Sequence, residues 1–198
     1  MKVLLINGSP RQKGNTSIAL AEIAKTLSEE GIDSEIVWIG NKPIAGCIAC
    51  FSCTKTGKCI HSNDKVNEII ERLDEFDAII VGAPVYYAGP AGQITAFLDR
   101  LFFAGDNKKF AGKLGAAVVS CRRAGSTAAF DRLNKYFTIN NMPVISSQYW
   151  NQVHGFTPDD VRKDLEGMQT MRTLGRNMAY MLKCIEAGKK AGRNYELR

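Results

Sequence analysis

Apolar residues follow two alternating rhythms along this chain. Val3-Leu4-Leu5-Ile6, within residues 2–7, and Ile79-Ile80-Val81 are continuous apolar runs, the pattern of strands buried on both faces. Glu35-Ile36-Val37-Trp38 and residues 114–119 and 143–146 read as three further strands. Between them apolar positions recur at helical spacing: Ile18, Leu20, Ile23, Ala24 and Leu27 within residues 16–28, with Gly31 as the stop, then 66–73, 94–102 and 127–137. Thr157-Pro158-Asp159-Asp160 is a helix start, with proline at the first helical position and acids facing the dipole. Leu165, Met168, Met171, Leu174, Met178, Met181 and Ile185 then mark the apolar stripe of a closing helix, its methionines read as core packing. The polar stretch from 186 onward reads as a frayed tail.

Strand and helix alternate five times, which predicts an α/β protein with a parallel sheet and helices on both faces. Five such strands suit the flavodoxin-like three-layer sandwich, strand order 2-1-3-4-5, as one domain over residues 1–187 with a polar tail at 188–198. In that order the ligand crevice lies beyond the carboxyl ends of the strands, where the order reverses. The loops after strands 1, 3 and 4 therefore converge on one site.

Composition narrows the classes. A chain of 198 residues with 45% hydrophobic content can bury roughly 70% of its unfolded surface without disulfides. Only four apolar residues follow Met1-Lys2, and no apolar run approaches a membrane span. The expectation is no membrane association and a reducing cytoplasm, where structural disulfides are disfavoured. The net charge of +6 is spread over small pairs, Lys108-Lys109, Arg122-Arg123 and Lys189-Lys190, instead of one stripe. That argues against nucleic acid and for anionic small molecules.

Chemistry concentrates in three loops. After strand 1, Gly8-Ser9-Pro10-Arg11-Gln12-Lys13-Gly14-Asn15-Thr16-Ser17 opens into a helix. Backbone N–H groups at that helix start, the hydroxyls of Ser9, Thr16 and Ser17, and the Arg11 guanidinium suit a phosphate monoester. Asn15 stands where a Walker loop needs lysine, and no G-x-G-x-x-G is present. After strand 3, Gly82-Ala83-Pro84-Val85-Tyr86-Tyr87-Ala88-Gly89-Pro90 is stiffened by two prolines and offers tyrosine faces to a flat heteroaromatic ring. Together the two loops spell a mononucleotide; the plain alternatives are an ordinary turn and aromatic packing over the sheet edge. A phosphorylation receiver would need an acidic pocket with Asp at the end of strand 3, where this chain has Ala83-Pro84.

The third loop, residues 39–63, is long for a connection between strand and helix and lacks periodicity. It carries Cys47, Cys50, Cys53 and Cys59 in a C-x2-C-x2-C-x5-C pattern. A [4Fe–4S] cluster, one thiolate per iron, fits this spacing best. A zinc ion would more often use two separated C-x2-4-C knuckles, and a reduced or disulfide-forming loop is the other alternative. Cys121 and Cys184 read as packing residues, His61 as a surface histidine or a hydrogen-bond donor behind the cluster ligands, and no Asp, Glu or His stands out as a general acid or base.

Gly8-Ser9-Pro10-Arg11 with Gly14-Asn15-Thr16, then Pro84-Val85-Tyr86-Tyr87 followed by Phe97-Leu98-Asp99-Arg100, resembles the NADPH-dependent FMN reductase branch of the flavodoxin-like superfamily over about residues 1–155. With the four cysteines between those motifs, the chain is similar to the iron–sulfur flavoproteins. The resemblance implies FMN, with its phosphate on Ser9, Arg11, Asn15, Thr16 and Ser17 and its ring and ribityl chain against Pro84, Val85, Tyr86 and Tyr87. Ser120 and Arg122, in the loop after strand 4, join that site, Arg122 or Arg123 neutralising reduced flavin or a pyridine-nucleotide phosphate; a solvated arginine pair is the alternative. It further implies NAD(P)H or ferredoxin as donor, a small-molecule acceptor, and a homo-oligomer, for which Leu101-Phe102-Phe103 and Trp150 supply aromatic surface. The resulting expectation is an FMN-dependent oxidoreductase whose chemistry the flavin carries. Its rivals are a cluster-free NAD(P)H-dependent FMN, quinone, nitro or azo reductase and a non-enzymatic redox or metal sensor.

Overall fold

The computed structural model describes residues 1–195. In chain order the elements are β1 (Lys2–Asn7), α1 (Asn15–Glu29), β2 (Asp33–Trp38), α2 (Cys53–Thr56), α3 (Val66–Glu71), a 3-10 turn (Leu73–Glu75), β3 (Ala78–Tyr86), β4 (Gly89–Pro90), α4 (Gly92–Ala104), α5 (Asn107–Phe110), β5 (Leu114–Cys121), α6 (Ser126–Ile139), β6 (Gln152–His154), α7 (Pro158–Lys163) and α8 (Leu165–Lys190). The order across the sheet is β2-β1-β3-β5-β6, every neighbour parallel. β4 only folds back antiparallel on the end of β3. Leaving that hairpin aside, the five parallel strands stand in the flavodoxin-like order 2-1-3-4-5.

Strand pleating sorts the apolar runs between two cores. Along β1, Leu4 and Ile6 join the layer of α3, α4 and α6, while Val3 and Leu5 join the layer of α1 and α8. β3 divides in the same way, Ile79 and Val81 against Ala78 and Ile80. Continuous hydrophobicity in these strands is thus the direct consequence of helices covering both faces. α8 comes close to α1 at Gly175, where a Cβ would sit 2.8 Å from Cβ of Thr26.

Three expectations need correction. Residues 143–146 make only an isolated parallel bridge, Val144 to Gly115, and the edge strand is β6 at Gln152–His154. The edge partner of β5 is split: Ile145 N–H donates to Gly115 O at 2.8 Å, the chain then leaves the ladder, and it returns at Asn151. Asn151, buried, accepts from Val119 N–H at its carbonyl and donates from Nδ2 to Ala117 O at 3.1 Å, so its side chain fills the gap in the ladder. The closing helix is also two helices. Thr157 and Asp160 form a capping box that starts α7; Asp164 ends it and caps α8 by accepting from Gly167 N–H at 3.0 Å. Leu165 and Met181, placed on the apolar stripe, are exposed: Leu165 is the first residue of α8, and Met181 falls at the margin of the face that Met168, Met171, Leu174 and Met178 bury. α8 continues to Lys190, inside the stretch read as a tail, and Tyr195 beyond it bonds Asn141. Glu196, Leu197 and Arg198 lie outside the described residues.

Candidate functional site

The loop leaving β1 is shaped by side chains that it does not itself contain. Asn7, buried at the strand end, accepts from Ser9 N–H at 3.1 Å and donates to Gln12 O at 3.3 Å. The Trp38 indole, at the end of β2, donates to Ser9 O at 2.7 Å. Within the loop Ser9 Oγ accepts from Arg11 N–H at 3.2 Å, and Ser17 donates to Gly14 O at 2.7 Å. Helix α1 starts after Gly14 with no side-chain cap, so N–H groups of its first turn remain for a ligand. Close approach at the strand ends requires Gly8 and Gly82: a Cβ on Gly8 would lie 2.5 Å from Ile94, and one on Gly82 2.8 Å from Thr16.

The second wall is the β3–β4 hairpin. Its turn places Tyr87 (φ 50°) and Ala88 (φ 59°) in the left-handed region, a conformation costing non-glycine residues on the order of 1–3 kcal/mol each. Gly125 (φ 83°) receives the hairpin tip, since a Cβ there would come within 2.7 Å of the Ala88 backbone. Tyr87 is fully exposed and Tyr86 half-exposed. The third wall comes from β5 and β6. The Ser120 and Thr16 hydroxyls hydrogen-bond at 2.8 Å, Asn15 donates to Gly155 O at 2.7 Å, and the Arg122 guanidinium lies over the Phe156 ring at 4.9 Å.

These walls enclose an open cleft of about 230 Å³. Ser9, Arg11, Asn15, Thr16, Pro84, Val85, Tyr86, Ser120 and Arg122 all line it; Ser17 and Tyr87 do not. Ser17 braces the loop from behind, and Tyr87 points to solvent at the hairpin tip. Cys121, Gly155 and Phe156 join the lining without having been foreseen; Asn7 and Trp38, also unforeseen, support the loop from outside the lining. Burial raises the Cys121 thiol pKa, which keeps it a neutral wall residue. Every charged lining residue is an arginine, so the cleft suits an anion.

The cysteine loop closes a second hollow at the same end of the sheet. Cys47, Cys50, Cys53 and Cys59 line it with Ile48, Phe51, Ile60, His61, Arg100, Phe103 and Ala104. Ala49 (φ 52°) and Phe51 (φ 57°) bracket Cys50 in left-handed conformations. Hydrogen bonds from the Ser52 N–H and hydroxyl lower the Cys50 pKa, while burial raises that of Cys53. His61 Nε2 is buried without a hydrogen-bond partner among the described residues. The loop is tied to α4 at both ends, by Gln93 donating to Gly40 O and Lys42 O and by Arg100 donating to Cys59 Sγ at 3.1 Å. Among the described residues no three His, Cys, Asp or Glu side chains converge as they would on a single ion. All four cysteines nonetheless line this one hollow.

With both hollows described, kinship follows. The profile of the NADPH-dependent FMN reductase family matches residues 1–157. The chain belongs to that family. An iron–sulfur flavoprotein of Methanocaldococcus jannaschii is 33% identical, over 94% of this chain and 100% of the relative. One of Methanosarcina thermophila is 29% identical, over 96% of this chain and 99% of the relative. Among solved structures, RosB with a bound 8-demethyl-8-formylriboflavin-5'-phosphate intermediate superposes with TM-score 0.72 at 15% identity, covering 100% of this chain and 90% of RosB. An archaeal flavodoxin gives 0.60 at 19% identity, over 92% and 99%; both likenesses speak for the fold. This member of the FMN reductase family is an FMN-dependent oxidoreductase, and among its described residues no helix is long and apolar enough to cross a membrane.

Proposed function

We propose that this FMN-dependent oxidoreductase carries a [4Fe–4S] cluster on Cys47, Cys50, Cys53 and Cys59 and passes electrons between a reduced donor, ferredoxin or NAD(P)H, and a small-molecule acceptor. The observation that carries the reading is the lining of one apolar hollow by all four thiols, in a loop held in left-handed turns that leaves the same carboxyl end of the sheet as the cleft loops. Bound flavin takes electrons in pairs and yields them singly, and a four-iron cluster passes them one at a time.

The protein's part is binding and positioning. The uncapped start of α1 and Arg11 hold the FMN phosphate, with Ser9, Asn15 and Thr16 completing the cradle and Ser17 bracing it. Pro84, Val85 and Tyr86 flank the ring and ribityl chain. Tyr87, exposed at the hairpin tip, stands outside this lining and would meet the flavin only at its outer edge. Ser120 and Arg122 line the cleft at the end of β5, where the Arg122 guanidinium would stabilise negative charge on a reduced flavin.

Assembly as a homo-oligomer is part of the proposal. Its sequence rationale narrows, since Leu101 and Phe102 are buried in the core. The supporting surface is instead Phe103, 50% exposed and edge-on to Phe51 at 5.9 Å, together with the exposed pair Tyr149 and Trp150.

Anaerobic purification followed by flavin, iron and sulfide analysis tests the reading. About one FMN with four iron and four sulfide per chain is expected. Flavin without iron or sulfide removes the cluster and leaves a cluster-free reductase; absence of both flavin and cluster leaves the sensor.

A further inference from the structure

Arg100 heads the fully buried side chains among the described residues, with 1% exposure. A guanidinium in that position costs several kcal/mol unless it is paired and its donors are satisfied. All five of its N–H groups are used. Nε–H donates to Cys59 Sγ at 3.1 Å, Nη1 to Ala45 O at 3.3 Å and to the Asp64 carboxylate, and Nη2 to His61 O at 2.8 Å and Asp64 Oδ1 at 3.3 Å. Every acceptor lies in the cysteine segment, whereas Arg100 stands on α4. Asp64, its side chain 6% exposed, supplies the counter-charge. A guanidinium does not lose its proton in proteins. Arg100 is therefore a permanent cation in contact with one of the four sulfurs.

Nothing in the proposed electron transfer requires that contact. A neutral residue would pack an apolar hollow at lower cost. What a cation at a ligand sulfur does is favour the state with one more negative charge, and hydrogen bonds to sulfur are among the determinants of cluster potential. A buried carboxylate across the guanidinium acts with the opposite sign.

We infer that Arg100 is a positioning and tuning residue of the four-cysteine site: it fixes Cys59 and the segment 45–64 on α4, and its Nε–H···Sγ bond raises the reduction potential of the cluster held there, against an opposing bias from Asp64. The inference rests on the cluster reading above. Its signature is a pair of opposed shifts. Arg100→Gln lowers the potential and Asp64→Asn raises it, each by at least tenfold in the reduction equilibrium, or 59 mV for a one-electron couple.

The test uses full-length wild type and both variants, reconstituted anaerobically and titrated with redox mediators while iron–sulfur absorption is followed. Hydrogen exchange on cluster-free wild type and Arg100→Lys is measured in parallel. Arg100→Lys keeps the charge but loses the fork, and exchange in segment 45–64 should rise at least tenfold while the phosphate loop, residues 8–17, is unchanged. Potentials that stay put, or move in the same direction in both variants, overturn the tuning role. Unchanged exchange in 45–64 overturns the positioning role, and this arm needs no cluster. Wild-type protein that takes up neither iron nor sulfide overturns the cluster reading, and the tuning role with it. If Arg100→Gln fails to fold, Asp64→Asn alone decides: a fall in potential or no change refutes the inference.

Discussion

Replacing Arg11 by Ala separates phosphate recognition from every other contribution to flavin binding. Arg11 lines the cleft wall and its side chain is exposed, so the substitution removes a guanidinium without opening a cavity. A hydrogen bond to a charged group contributes about 1.5–3 kcal/mol. Solvent screening at an exposed position puts Arg11 at the lower end, about 1.5 kcal/mol, or roughly tenfold in Kd. Riboflavin has the same ring and ribityl chain but no phosphate. Its affinity should be unchanged, so the preference for FMN over riboflavin should shrink about tenfold and its salt dependence flatten. Surface substitutions of this kind change stability by about 0.5 kcal/mol or less. The assay is fluorescence titration of apoprotein with each flavin at low and high salt, beside a urea denaturation curve. Equal weakening of both flavins, or an FMN affinity that does not move, refutes the phosphate assignment.

Trp38→Phe leaves Ser9 O without its indole donor and should cost about 1–2 kcal/mol of stability, with FMN affinity falling because the loop loses an anchor; unaltered FMN binding would show that the anchor does not pre-form the cradle. Glu35 accepts from both Arg72 Nη atoms, at 2.9 and 2.7 Å, with Lys2 at 2.8 Å, and these bonds lower its pKa to about 2. Because the folded pKa lies below the unfolded one, the stabilisation is complete above about pH 4.5 and disappears as pH falls toward 2; Glu35→Gln should lose about 1 kcal/mol at pH 7 after allowance for partial exposure, with the gap to wild type narrowing between pH 5 and 3, and a gap constant with pH contradicts it. Ala49→Gly relieves a left-handed alanine and should stabilise cluster-free protein by about 0.5 kcal/mol, read by denaturant midpoint; destabilisation would mean the turn is not strained.

The sheet was legible because its central strands β1, β3 and β5 are buried on both faces and read as continuous apolar runs such as Val3-Leu4-Leu5-Ile6. β6 was not, since Gln152-Val153-His154 offers a single apolar residue and its place is fixed by the ladder gap that Asn151 fills. The two helices at the C-terminal end were read as one because Asp164 looks like any surface acid until its carboxylate is seen accepting from Gly167 and His154. In the cleft, donor type and loop position identified Arg11, Asn15 and Thr16. The residues that shape the loop, Trp38 and Gly155, escaped because they act through backbone bonds across 29 and 140 positions of sequence. No local pattern encodes such a pairing.

α4 is where the two hollows become one device. The strained hairpin at Tyr87 and Ala88 returns through Ala91, whose N–H donates to Pro84 O at 3.1 Å, directly into the first turn of α4. From there Gln93 holds the start of the cysteine loop and Arg100 its end. One side of α4 is fixed in the core by Ile94, Phe97, Leu98 and Leu101, all fully buried. A tilt of the helix would therefore repack that core, so the hairpin that flanks one site and the loop that forms the other share one rigid reference. Electron transfer between two centres depends on a constant separation more than on any reacting side chain. On the proposed two-centre reading, the work of the protein is to hold both centres in register.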